Sequence, residues 1–226
     1  MTMTKRRKVH LLRASCIIIT MCGCLEAFGE TAPPEVVSAA KSGLRPFLEK
    51  IPAQDLRSYG FEPGAPLDTA YVGIPYRLYE LTPSALARFK PGEPVSSVIC
   101  PTGMWYFPVM IGNEAKAILI VDTLDGSWQA VSLGQAPLAR ELNAIIRQWP
   151  RERGYDPLLI VNFQSKTHLF TVPQKSDHNL TAILPREFSS GIGPRAGEQG
   201  YASTGELSKM IELLKPVVED SILQPR

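Results

Sequence analysis

Residues 95–134 limit what this chain can fold into more than any other stretch, because runs of strand-forming residues follow one another there with only tight turns between them. Residues 104–111 (MWYFPVMI) are rich in aromatic and β-branched side chains and end at Gly112-Asn113. Residues 115–122 and 127–133 are the next two runs, separated by Asp125-Gly126. Asp-Gly between two apolar runs is a strong hairpin signal, since a type I′ turn needs positive φ at both central positions. The preceding run, 95–100, predicts a further strand ended by Pro101, Thr102 and Gly103. The whole reads as an antiparallel β-meander.

Period-two alternation puts Trp105, Phe107, Val109 and Ile111 on one face of their strand and Tyr106 on the other. Residues 118–121 (ILIV) are apolar on both faces, which predicts a central strand covered on each side. Pro108 has no backbone donor, so its strand is expected at an edge or with a bulge there.

After the meander, Leu138, Leu142, Ile145, Ile146 and Trp149 make one apolar stripe at helical spacing, and Pro150 ends the helix. Packed across one face of the meander, with Leu142, Ile146 and Trp149 inward, this helix gives a two-layer α+β arrangement. Residues 158–163, 167–172 and 180–184 predict three more strands. Ser203 with Glu206 three residues later predicts a capping box that opens a last helix. Strands then helix thus occurs twice, with a possible sub-boundary at 150–154, and one continuous sheet is the simpler arrangement. The order resembles, by architecture alone, small exported α+β modules of the cystatin-like kind, in which a sheet wraps a helix.

Ahead of the meander, apolar spacing predicts one helix to about Gly43 and a second, short one beginning at Pro46. A helical turn ending at Gly60, a strand over 71–81, and a short helix capped by Thr82 with Pro83 at its first position come next.

Residues 1–29 read as a signal peptide rather than part of the fold, leaving 30–226 as a single exported domain. Lys5, Arg6, Arg7, Lys8 and Arg13 precede a short apolar run, and Ala27-Phe28-Gly29 offers small residues for cleavage. The run is too short for an ordinary transmembrane helix, so none is expected after processing. The alternative is a lipid anchor on Cys24, since Met21-Cys22-Gly23-Cys24 loosely resembles a lipobox. The expected location is periplasmic or secreted.

Processing changes the charge and the cysteine count. The whole chain carries +2, and residues 1–29 hold five basic side chains and one acidic one, so the remainder is −2. That balance, without a Lys/Arg cluster, argues against nucleic-acid binding, which depends on neutralising phosphates. Of the four cysteines only Cys100 remains, which makes an internal disulfide impossible.

Catalytic signals are weak. Cys100 with His168 or His178 could form a thiol hydrolase, but its flanks match no thiol-enzyme signature, and a lone cysteine is more often a small buried hydrophobe. Asp177, His178 and His168 are too few for a metal site. Gly191-Ile192-Gly193 lacks the third glycine and the Lys-Ser/Thr of phosphate loops. Asn179-Leu180-Thr181 is a formal glycosylation sequon in a chain whose signal looks bacterial. No cofactor is implied. The remaining group is Trp105, Tyr106, Phe107 and Trp128, with Tyr71, Tyr76 and Tyr79 as a possible extension. Core packing is the simpler account of these aromatics. The functional one is an exposed surface for an envelope protein, peptide or glycan, beside an edge strand open to strand addition. A non-enzymatic binding or scaffolding module is therefore the preferred expectation.

Overall fold

The computed structural model describes residues 31–90, 98–155, 157–163, 167–171, 181–183 and 204–206. Residues 1–30, His178, the glycines near 191 and residues 207–226 lie outside them. The fold is α+β: nine strands form one mixed sheet among the described residues, in the order β5-β4-β3-β2-β6-β7-β8-β9, with β1 also paired to β3. In chain order they are β1 (Tyr71–Val72), β2 (Tyr76–Leu81), β3 (Ile99–Ile111), β4 (Glu114–Leu124), β5 (Ser127–Gly134), β6 (Leu158–Asn162), β7 (Thr167–Thr171), β8 (Thr181–Ile183) and β9 (Thr204–Glu206). Among the described residues the α-helices are α1 (Pro34–Glu49), α2 (Pro83–Arg88) and α3 (Ala136–Gln148).

The meander forms as expected, with β3, β4 and β5 antiparallel in sequence. Asp125 and Gly126 both take positive φ, 51° and 76°, as a type I′ turn requires. Of the expected strand over 95–100, residues 95–97 lie outside the described residues, and Ile99 and Cys100 join the strand expected over 104–111, because β3 runs unbroken from Ile99 through Pro101 and Gly103. The ladder with β2 shifts register there, and the Thr102 hydroxyl fills the gap. It donates to the Leu78 carbonyl at 2.7 Å and accepts from the Met104 amide at 3.1 Å.

Pro108 does not mark an edge, since β3 is paired on both sides. Its carbonyl accepts from the Gly73 amide at 2.7 Å. In an antiparallel ladder a residue's N and O face the same neighbour, so the missing donor of Pro108 faces residues 73–75, where β1 and β2 are interrupted. That interruption also divides the single strand expected over 71–81.

Helices cover both faces of the sheet, so the two-layer expectation is replaced by three layers. On one face α3 buries Leu138, Ala139, Leu142 and Ile145 against Tyr106, Ile118, Leu159 and Phe170. Ile145, rather than Ile146 or Trp149, completes the fully buried stripe, and those two are only partly covered. On the other face α1 buries Val36, Ala40, Leu44 and Leu48 against Trp105, Phe107, Leu119 and Val121. Strand pairing puts α2 on that same face, where Leu86 and Phe89 meet Leu81, Ile99 and Ile160.

The break expected in α1 is absent. Pro46 lies inside a continuous helix, and it and Ser42, the residue whose carbonyl loses its partner, both face solvent. Water can take that bond, so the helix tolerates the proline. Gly43 lies over β5, where a Cβ would run into the Ala130 Cβ. A side chain there would hold the helix off the strand.

The second strand group joins the same sheet through the one parallel pairing among the described residues, β2 with β6. The helix expected from Ser203 does not begin there, because Thr204–Glu206 is strand β9, antiparallel to β8. Thr204 is β-branched and Gly205 a poor helix former, and the edge of β8 offers them ladder bonds that a helix start would forgo.

Candidate functional site

Three of the four aromatics expected at a binding surface belong to the core. Trp105, Tyr106 and Phe107 are 3%, 4% and 1% exposed. As a central strand, β3 has both faces covered, so alternation sends Trp105 and Phe107 under α1 and Tyr106 under α3. Trp128, on β5, is half-buried against the α1 side. Tyr76 and Tyr79 are buried, and only Tyr71 is exposed, its hydroxyl donating to the Gly112 carbonyl at 2.8 Å. The structure does not bring these aromatics together as a surface.

Strand register also separates the thiol from the imidazole. Cys100 is paired with Glu80, Glu80 with Val161, and Val161 with His168. Three strand spacings put Cys100 and His168 about 14 Å apart, far beyond a nucleophile–base hydrogen bond. His168 instead lies beside Tyr106, with ring centroids 6.5 Å apart. Its Nε2 is buried without a hydrogen-bond partner among the described residues, and burial lowers its pKa. Burial raises the Tyr106 pKa, against the opposing effect of its hydrogen bond with Gln135. Among the described residues no group of three His, Cys, Asp or Glu side chains converges in a way that could hold a metal. No helix among them is long and apolar enough to cross a membrane.

The feature best suited to contact another molecule is the outer edge of β5. This strand ends the sheet, so its far side carries backbone groups that no described residue bonds. An eight-residue edge of this kind is a template for another strand, and proteins usually guard it with charge, proline, shortness or a bulge. The sequence SWQAVSLG has no charged residue and no proline. One face of β5 holds Ala130 and Leu133 against α1, while Ser127, Gln129, Val131 and Ser132 are exposed. Val131 is an unopposed bulge residue, since Val121 pairs with Ala130 and Ile120 with Ser132. It is 39% exposed.

A sequence signal for this edge existed. It lay in composition alone: the run after Asp125-Gly126 contains no charged residue and no proline.

No family model matches this chain, and no curated protein or solved structure is significantly similar to it.

Proposed function

We propose that this chain is an exported, non-enzymatic binding or scaffolding module of the bacterial envelope, and that it takes up an extended polypeptide segment as an added strand on β5. The observation that carries this reading is the uncharged, proline-free outer edge of β5. Strand addition draws its affinity from main-chain hydrogen bonds, each worth about 1 kcal/mol net, so a long edge free of charge and proline is its main requirement. Export is supported by the basic start, the short apolar run and Ala27-Phe28-Gly29, with anchoring through Cys24 as the alternative form.

Two measurements test this. A photo-crosslinking amino acid at position 131, introduced in the native host, should form an adduct with a polypeptide, whereas one at Ile74, exposed elsewhere, should not. Equal labelling from both positions, or none from 131, overturns the docking edge. Intact mass of the recovered protein should show an N-terminus near Glu30. A diacylglycerol adduct on Cys24 would select the anchored form, and retention of residue 1 would refute export by cleavage.

A further inference from the structure

We infer that the segment added to β5 is β5 of a second copy of this chain, paired antiparallel about a two-fold axis so that one sheet runs through both protomers. This rests on the reading of β5 as a docking edge and names its occupant.

The first support is the contrast between the two ends of the sheet. At the far end, among the described residues, β8 and β9 are three residues each, and shortness itself blunts an edge. The β5 end is eight residues long, and its one irregularity is the bulge at Val131. The second is charge. In an antiparallel pairing about a two-fold axis the residue on the axis meets its own copy and residues equally far on either side meet each other, so an ionisable side chain in mid-strand would face its like. Residues 127–134 contain none, and no register brings like charges together. A strand shaped only for an unrelated partner has no such restriction.

The third is the place of Val131. It is an exposed β-branched residue in mid-strand, and across a two-fold axis the middle of one strand lies beside the middle of the other. The two valines then cover each other, and the adjoining flanks of α1, which rides on β5, approach as well. A single strand edge buries less than the roughly 800 Å² per partner of a standard stable interface, so the pair is a weak, reversible dimer.

Sedimentation equilibrium on the chain as purified from its host tests this, from low micromolar to near-millimolar concentration. Val131→Lys and Ser132→Lys are compared with Ile74→Lys as control, and circular dichroism checks each fold. The parent should dimerise reversibly, both β5 variants should raise the dissociation constant at least about tenfold, and the control should match the parent. If Val131→Lys does not fold, Ser132→Lys decides. A parent that stays monomeric throughout, or a control weakened as much as the β5 variants, overturns the inference. A monomeric parent whose position 131 still crosslinks another protein refutes the second copy and leaves the docking edge standing. A monomeric parent with no crosslink refutes both.

Discussion

His168 holds its Nε2 away from water, with Tyr106 as its ring neighbour. The Arg151 guanidinium stacks on Tyr76 at 5.3 Å, and Tyr76 is the cross-strand partner of Tyr106. Burial penalises the charged imidazolium, so the His168 pKa lies below the ordinary 6.5 of an imidazole. As pH falls through 6.5 the unfolded chain binds a proton that the folded chain refuses. Stability should therefore drop as pH falls, and the drop should level off below the folded value. His168→Phe should flatten this dependence when urea midpoints are compared between about pH 7.5 and about pH 5. An unchanged slope would show that the imidazole takes up its proton freely. Gly43 gives a second test. Alanine there gains about 1 kcal/mol of helix propensity, but its Cβ meets that of Ala130, so Gly43→Ala should destabilise by about 1–3 kcal/mol. Adding Ala130→Gly should restore much of the loss in a double-mutant cycle. Additive losses would mean that the helix has room to move.

Among the elements, α3 carries the plainest stability prediction. Leu142 is fully buried against the α3 face of the sheet, so Leu142→Ala should cost about 2–5 kcal/mol in denaturant unfolding. A loss under about 0.5 kcal/mol would put the stripe in solvent. Elements built on local chemistry could be read from the sequence: the Asp125-Gly126 hairpin, the Thr82 cap and the stripe of α3. The Thr82 hydroxyl does accept from the Ala85 amide, at 3.3 Å. What could not be read depended on distant partners. Pro46 reads as a break unless its exposure is known, and Pro101 reads as a strand end unless Thr102 is seen to bridge to Leu78. The aromatic site failed for the same reason. Alternation assigned Trp105, Tyr106 and Phe107 to faces correctly, but only the two helix layers decide that both faces are covered. The β5 edge was partly legible, in its composition but not in its terminal place.

At the scale of the whole molecule, the sheet is two antiparallel groups joined along a short seam, the pairing of residues 78–80 of β2 with residues 159–161 of β6. Partners within the meander are close along the chain. Leu78 and Leu159, partners across the seam, stand roughly eighty residues apart, and such contacts form only after a large loop has closed. The seam therefore sets the order of events in time. The meander with α3 can assemble early, and β6–β7 docks onto it late. In stopped-flow kinetics Leu119→Ala, in the meander, should slow folding, while Leu159→Ala should mainly speed unfolding. Hydrogen exchange should follow the same division, with the amides of β6 and β7 opening as a block at lower free energy than those of β3 and β4. During synthesis the meander emerges before β6, so each new chain passes through an interval with the β6-facing side of β2 unpaired. That interval, rather than the finished fold, is when this protein is most exposed to misassembly.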